Sequence, residues 1–403
     1  MHRPPSPPRT LCLAGVGNIG SQFIDQLARL PGLERVIIVD RDSYEASNLS
    51  SQAITSADVG RPKAQVQARR LRQLNPQLQV EAVVADLDTV PAGLLHGMLV
   101  VGCLDSVSAR LRLSELAWRV GARLLDGGVN PEAGLVRVTG FRPGPAQPCY
   151  ACALNEQDFR ALGAHHPCEG GPAANAPTHG SFHLGGVAAT LLAAECAMIL
   201  SGDAADALAG HELLVDVRHH RQFVTELRRN PGCRFDHCQW SPSPARGLTL
   251  DASFADALDA ALEVLGGRGK VGFRVAGQRL AKALHCPGCG AMERRFHVVG
   301  RGGSRDCPRC QTHPLQVAGC SIVDRVDGSL PQELQRVSLR RAGLRTGDIL
   351  VTEDARRIRY LVIGCDAARP AGGSRAAEPA GSLSRRPRGC DRPGTRRHRR
   401  HTR

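Results

Sequence analysis

The chain has 403 residues, enough for two or three domains, and its 42% hydrophobic content is sufficient for a sizeable core. The formal net charge of +14 suggests a nucleic-acid partner, but residues 366–403 hold eleven Arg and three acids and so contribute +8 of it. Because the chain also has 49 Arg against three Lys, a skew typical of coding bias, the charge does not favour nucleic-acid binding by the folded part.

Strand and helix patterns alternate in the first third of the chain. Apolar and β-branched runs predict strands at residues 10–14, 35–40, 77–85, 98–103 and 123–126. Helical periodicity predicts helices at 21–30, 63–74 and 107–120. This order predicts the α/β class, with a Rossmann-like, doubly wound, mostly parallel sheet. Strands at 135–141, 212–217 and 222–227 extend it, the first of them antiparallel.

No membrane span or export signal is predicted. The first ten residues are Pro-rich and lack the apolar region of a signal peptide. The longest apolar stretch, residues 184–200, contains Glu195 and predicts a buried helix. We therefore expect a cytoplasmic protein, in which the 15 Cys indicate metal sites more than disulfides.

A glycine turn follows the first strand and opens the first helix, in the order Gly15, Gly17, Asn18 and Gly20. The three glycines allow a tight turn, a close approach of the backbone to a phosphate, and close packing of helix against strand. Asp40 follows the next strand, where a carboxylate can bind ribose hydroxyls. The turn predicts a nucleotide site, with a ligand-free glycine turn as the alternative.

The residues after this strand differ from those of a nicotinamide dehydrogenase. Asp40 and Asp42 supply hard oxygen ligands for Mg²⁺, and Lys63 supplies a point charge for phosphate. Asp105 follows the strand at 98–103 and lies at the ligand edge of the predicted sheet, although it could also cap the helix that starts at residue 107. This set predicts a nucleoside triphosphate with Mg²⁺.

The order of these motifs resembles the ubiquitin-activating-enzyme-like, ThiF-type adenylyltransferases over roughly residues 8–240. The matching positions are the glycine turn, Asp40, Asp42, Ser47, Asn48, Leu49, Gln52, Lys63, Asp105, Arg110, Gly127, Gly128, Cys149, Cys152 and the helix bearing Glu195. The resemblance implies that the domain binds Mg-ATP and adenylates the C-terminal carboxylate of a small carrier protein or peptide, releasing pyrophosphate. It also implies nucleotide contacts by Asn18, Asn48 and Gln52, catalytic roles for Lys63, Asp105 and Arg110, and a homodimer.

One residue departs from the family pattern. The family usually has Arg where this chain has Ser51, and that Arg is expected to stabilise developing phosphate charge. Another Arg, such as Arg41 or Arg61 or one from a second subunit, could take its place. Otherwise turnover is slow, or the domain is degenerate.

Two cysteine clusters predict Zn²⁺ sites. Cys149 and Cys152 form half of the first, which Cys233 completes together with either His237 or Cys238. The second consists of Cys286, Cys289, Cys307 and Cys310, two Cys-x-x-Cys pairs with 17 residues between them, which is typical of a structural zinc ribbon. The alternative for both is unligated thiols.

These features divide the chain into five parts. We expect an adenylyltransferase domain at 8–245, a helical linker at 246–283, the zinc ribbon at 284–313, a small β-rich unit at 314–363 and a disordered basic tail at 364–403.

Three further possibilities follow from the same residues. Cys168, beside His166, is a candidate for a thioester-forming Cys, with an unreactive or metal-bound thiol as the alternative. The acceptor could instead be a tRNA base, with RNA held by the ribbon or the tail. A non-catalytic nucleotide-binding scaffold is the third possibility, and Ser51 is its main support.

Overall fold

The computed structural model describes residues 9–163, 181–202, 208–245, 247–267, 270–301 and 305–364. The predicted basic tail lies outside these residues, except for Gly364.

An eight-stranded sheet forms the centre of the first domain. Its strands are β1 (Thr10–Ala14), β2 (Arg35–Val39), β3 (Gln79–Val83), β4 (Leu99–Gly102), β5 (Arg123–Asn130), β6 (Leu135–Phe141), β7 (His211–Asp216) and β8 (Arg221–Glu226). They lie in the order β3-β2-β1-β4-β5-β6-β7-β8, with β1 to β5 parallel and the remaining neighbours antiparallel. The predicted α/β class with a large, mostly parallel sheet is confirmed.

Helices cover both faces of this sheet. The α-helices of the described residues are α1 (Asn18–Leu27), α2 (Lys63–Leu74), α3 (Val107–Arg119), α4 (Glu156–Gly163), α5 (Phe182–Ser201), α6 (Phe254–Val264) and α7 (Gln332–Gln335). Apolar side chains of α1, α2 and α5 form one core with the sheet, and those of α3 form a second core on the other face. The crossover helices thus place all carboxyl ends of β1 to β5 at one edge.

Helix α5 is the one helix of the described chain that is long and apolar enough to cross a bilayer. Its apolar stretch is 56% buried inside the protein, where it packs against α1, β5 and β6. Leu184, Leu192 and Cys196 each have at most 2% exposure. This arrangement confirms the prediction of a buried helix.

The rest of the described chain forms two small sheets. Their strands are β9 (Pro242–Pro244), β10 (Gly272–Val275), β11 (Leu280–His285), β12 (Met292–Val298), β13 (Gln316–Val317), β14 (Ile322–Val323), β15 (Val326–Asp327), β16 (Ile349–Glu353) and β17 (Ile358–Val362). One sheet has the order β15-β10-β16-β17-β9, and in the other β11 pairs with β12, β13 and β14.

Two of the predicted boundaries differ from this arrangement. The linker at 246–283 contains helix α6 but also β10 and most of β11, so it is not purely helical. The ribbon boundary at residue 284 falls within β11. Phe296 of β12 packs 4.5 Å from Phe254 of α6, ring centroid to centroid. The ribbon and the β-rich unit therefore share one core and are not separate modules.

This C-terminal unit docks on the α3 face of the large sheet. Ile349, Val351 and Val362 lie in the same core as Leu95 and Leu116. Burial of each such aliphatic side chain contributes ~1.5–3 kcal/mol, so several of them make a firm contact.

Two glycines form a close backbone contact between the two units. The Gly93 amide donates to the Gly347 carbonyl oxygen at 2.9 Å, and a Cβ on Gly93 would stand 2.5 Å from that oxygen. Any larger residue at position 93 would therefore push the two units apart.

Candidate functional site

The glycine turn lies between β1 and β4, where the strand order of the sheet changes direction. Gly15 has a φ of +87°, and a Cβ there would stand 2.6 Å from the Cys103 carbonyl oxygen. A Cβ on Gly20 would stand 2.1 Å from the Gly15 carbonyl oxygen, whereas one on Gly17 would meet nothing within 4 Å. Packing thus requires Gly15 and Gly20, and Gly17 leaves an open backbone surface that a phosphate can approach.

Asp40 braces this turn. One of its carboxylate oxygens accepts a hydrogen bond from the Val16 amide (2.8 Å), and the other accepts one from the Asp42 amide (2.9 Å). The Tyr44 hydroxyl donates to the Val16 carbonyl oxygen at 2.8 Å. Burial raises the pKa of the Asp40 carboxyl group, although the two hydrogen bonds from the Val16 and Asp42 amides act to lower it. Asp40 therefore holds the turn in shape, and its contact with ribose stays a prediction.

Acidic and basic side chains share the carboxyl edge of the parallel strands. The Lys63 ammonium lies 3.7 Å from an Asp42 carboxylate oxygen. The Arg41 guanidinium donates to Asp86 at 2.6 Å, and Asp105 is exposed on the loop after β4. Carboxylate oxygens are the ligands that Mg²⁺ prefers, and an ammonium group suits phosphate. The donor set at this edge fits a magnesium–nucleotide complex.

Ser106, and not Asp105, caps helix α3. The Ser106 hydroxyl oxygen accepts a hydrogen bond from the Ala109 amide at 3.3 Å. The alternative interpretation of Asp105 as the cap is therefore wrong, because the next residue supplies the capping oxygen. The Asp105 carboxylate remains at the edge where ligands bind in such sheets.

Arg110 faces the interior and is 9% exposed. Its Nη1 lies 2.5 Å from an Asp126 carboxylate oxygen and 2.8 Å from the Gly127 carbonyl oxygen. Its Nη2 donates to the carbonyl oxygen of Leu104, the residue before Asp105. These contacts tie Arg110 to the loop that carries Asp105, and the catalytic role that the resemblance implies for Arg110 stays a prediction.

The sequence did not single out two members of this buried network, Asp126 and Arg137. Asp126 is 1% exposed and also accepts a hydrogen bond from Arg137 Nη2 at 3.0 Å. Arg137 Nη1 lies 3.5 Å from Glu212. The sequence held one signal for this network: Asp126 is an acid inside an apolar strand, directly before Gly127. A buried carboxylate requires a cationic or hydrogen-bonded partner, so a partner such as Arg137 was to be expected.

The three predicted amide ligands have different surroundings. Asn18 donates to the Ser181 carbonyl oxygen (3.1 Å), and the Asn48 side-chain oxygen accepts a hydrogen bond from the Glu45 amide (3.0 Å). The buried side-chain oxygen of Gln52 has no hydrogen-bond partner among the described residues. An unsatisfied buried polar group costs ~1–3 kcal/mol, so the Gln52 side-chain oxygen lacks a partner that a bound ligand would supply. The nucleotide contacts of all three stay predictions.

The first cysteine cluster contains three Cys and one His. The ligand atoms of Cys149, Cys152, Cys233 and His237 all lie within 4.8 Å of one another. The Cys149 sulfur lies 3.8 Å from those of Cys152 and Cys233, and the Cys152 sulfur lies 3.3 Å from His237 Nε2. Of the two alternatives for the fourth ligand, the structure places His237 in the group, while the Cys238 sulfur lies 4.0 Å from the Gln239 carbonyl oxygen.

Backbone and aromatic contacts orient His237 toward the sulfurs. Its backbone is left-handed, with a φ of +53°, and its carbonyl oxygen accepts a hydrogen bond from Trp118 Nε1 at 3.0 Å. The Trp118 and His237 ring centroids are 5.0 Å apart. Such outer contacts fix the ring of a metal-binding His, and the S₃N donor set fits tetrahedral Zn²⁺.

The second cluster brings Cys286, Cys289, Cys307 and Cys310 within the same 4.8 Å limit. The sulfur pairs 286–310 and 289–307 are each 3.6 Å apart. The two halves repeat one turn: the Gly290 amide donates to the Cys286 carbonyl at 3.0 Å, and the Gln311 amide donates to the Cys307 carbonyl at 2.8 Å. Four thiolates leave no open coordination position, so a metal here would be structural.

The predicted thioester residue, Cys168, lies outside the described residues. Glu195 lies within them on α5, where burial raises the pKa of its carboxyl group. One of its carboxylate oxygens is buried and has no hydrogen-bond partner in the described part of the chain.

The sequence model of the ThiF family matches residues 9–235, more than half of the chain. The sulfur carrier protein adenylyltransferase of Thermus thermophilus is 32% identical over 230 residues, which are 56% of this chain and 80% of that protein. The sulfur carrier protein ThiS adenylyltransferase of Escherichia coli is 28% identical over 229 residues, 55% of this chain and 83% of that protein.

Among solved structures, the chain is similar to E. coli MccB with ATP. The TM-score is 0.46 at 19% sequence identity, over 57% of this chain and 66% of that one.

Proposed function

The chain belongs to the ThiF family and is an adenylyltransferase, and from this premise we propose that it adenylates the C-terminal carboxylate of a small ubiquitin-like or sulfur-carrier protein, or of a peptide. The observation that carries the proposal is the open backbone at Gly17, which shares one sheet edge with Lys63, Asp42 and Asp105. The names of the two relatives, both adenylyltransferases of sulfur carrier proteins, support the acceptor class.

In this reaction an acceptor carboxylate oxygen attacks the α-phosphorus of ATP, the bond to the bridging α,β-oxygen breaks, and pyrophosphate leaves. The backbone at Gly17, at the start of α1, faces the phosphates, and Lys63 offsets their charge. Asp42 and Asp105 are the residues that would hold Mg²⁺, which neutralises phosphate charge when bound. Asp40 is proposed to bind ribose and Gln52 a phosphate oxygen.

We expect the protein to bind ATP only with Mg²⁺ and not to bind NAD. The reason is the pair of carboxylates and the ammonium group beyond the glycine turn, which suit a metal-bound triphosphate and not a nicotinamide dinucleotide. Titration calorimetry with ATP, with and without Mg²⁺, and with NAD measures this directly. Tighter binding of NAD than of ATP would remove the basis of the proposed function.

We also propose that both cysteine clusters hold Zn²⁺ in structural sites. Purified protein is expected to contain about two zinc ions per chain, because each cluster offers four ligand atoms. Plasma emission spectrometry measures the content. A Cys310→Ser variant should lose one ion and a Cys233→Ser variant the other. Cys12, a buried Cys outside both clusters, serves as the matched control as Cys12→Ser. Zinc below one ion per chain, with cluster thiols reactive toward a thiol reagent, contradicts the proposal.

Pyrophosphate exchange into ATP distinguishes the proposed function from two alternatives. A tRNA-modifying adenylyltransferase would exchange with RNA as the acceptor and not with a carrier protein. A scaffold would bind ATP but show no exchange with any acceptor, even after Ser51→Arg restores the family residue. We also propose a homodimer, which analytical ultracentrifugation tests. A thioester between Cys168 and the acceptor is a further part of the proposal, and covalent trapping of the acceptor tests it.

A further inference from the structure

The positive charge of the folded chain is concentrated in residues 270–315. Residues 9–235 carry 21 Lys and Arg against 22 Asp and Glu, so the ThiF domain is nearly balanced. Residues 270–315 carry nine Lys and Arg against two acids. A coding bias that replaces Lys with Arg leaves this difference unexplained, because it does not change the number of cations or acids.

Most of these cations have no side-chain partner among the residues that the structure describes. Arg301 is paired with Asp348, and Arg305 with Glu293. Six others are exposed and make no ion pair or side-chain hydrogen bond to the described residues. We call them the ribbon cations: Arg274, Arg279, Lys282, Arg294, Arg295 and Arg309.

The β11–β12 hairpin holds three of the ribbon cations on two paired strands. Ala281 pairs with His297 and Ala283 with Arg294, so Lys282 lies at the register shift across from Arg295 and Phe296, and Arg294 lies across from Ala283. Lys282 and Arg295 are thus exposed like charges on facing strands, and like charges opposite each other destabilise a sheet. Such a pair is expected where an anionic partner is bound.

An aromatic groove lies beside two other ribbon cations. The Trp240 and Tyr360 rings are stacked, with centroids 5.3 Å apart and planes at 19°. They line one groove together with Arg274, Arg279 and one exposed acid, Asp324. Aromatic rings and guanidinium planes next to a cationic surface are the combination that binds bases and phosphates of a nucleic acid. An acidic polypeptide would need the cations but not the rings.

We propose that the ribbon cations bind the phosphate backbone of a nucleic acid, with the Trp240–Tyr360 groove taking up a base. This binding is independent of ATP and of the adenylylation site. It therefore stands or falls separately from the proposed function.

The test is fluorescence anisotropy of the full chain with a labelled 20-nucleotide uridine RNA at several salt concentrations. Replacement of Lys282, Arg294 and Arg295 by Gln removes three phosphate contacts. Each contact contributes about −0.7 to the slope of log K against log salt for a single strand, so the slope should become less negative by about 2. At low salt the affinity should fall at least about tenfold.

The matched control changes Arg69, Arg218 and Arg228 to Gln, which are three exposed cations of the ThiF domain. It carries the same net charge and the same basic tail as the ribbon variant. Zinc content and the thermal midpoint check that both variants are folded. Equal losses in the two variants would assign the binding to the tail or to net charge and overturn the proposal. So would binding of a labelled 20-residue polyglutamate as tight as that of the RNA, which would point to an acidic polypeptide instead.

Discussion

Asp105→Ala is expected to abolish pyrophosphate exchange, with a loss of at least about 100-fold, while the free energy of unfolding changes by less than about 0.5 kcal/mol. The carboxylate is exposed, follows β4 at the switch point of the sheet, and makes no cap contact, because Ser106 caps α3. Its removal therefore affects charge at the ligand edge and not the core. Pyrophosphate exchange and urea unfolding measure the two effects.

Glu34→Ala is the control for this prediction. Glu34 is also an exposed acid, but it precedes β2 and so lies at the opposite, amino edge of the strands. It should leave exchange unchanged. If Asp105→Ala retains wild-type exchange, or if it loses exchange only together with its fold, the assigned role of Asp105 is incorrect.

The fold of the first domain was predictable because each element has a local cause. The β-branched run from Arg35 to Val39 and the helix from Lys63 to Leu74 appear in the structure within one residue of their predicted ends. In the C-terminal unit the prediction was weaker. Strands such as β13 and β15 have two residues each and are stabilised by pairing with distant segments. The periodicity of a short stretch of sequence cannot predict such pairing.

The cysteine clusters and the glycine turn were predictable for a related reason: ligand spacing and glycine geometry are local properties. The choice between His237 and Cys238 was not, because it depends on the backbone conformation at residue 237 and on Trp118, 119 residues away in the sequence. The contacts of Arg110 were not predictable for the same reason. Its position in the motif is local, but its acceptors on Asp126 and Gly127 lie on another strand.

Arg110→Met should destabilise the protein by about 3 kcal/mol, because it leaves the buried Asp126 carboxylate with one cation in place of two. It should also lower pyrophosphate exchange, since the Leu104 carbonyl oxygen loses its donor and the Asp105 loop loses its anchor. Urea unfolding measures the first effect. The second is measured by the rate of pyrophosphate exchange at saturating ATP, under conditions well below the unfolding midpoint of the variant.

A double-mutant cycle with Asp126→Asn separates a positioning role from a catalytic one. If Arg110 acts through its ion pair with Asp126, the free energy of unfolding of the double variant should fall by less than the sum of the two single losses. The reason is that neither Arg110 nor Asp126 is then left as a buried charge without the other. The KM for ATP should change little, since Arg110 directs its guanidinium at Asp126, Gly127 and Leu104 and not at the open edge. A large rise in the KM for ATP with normal stability would instead show that Arg110 reaches the nucleotide.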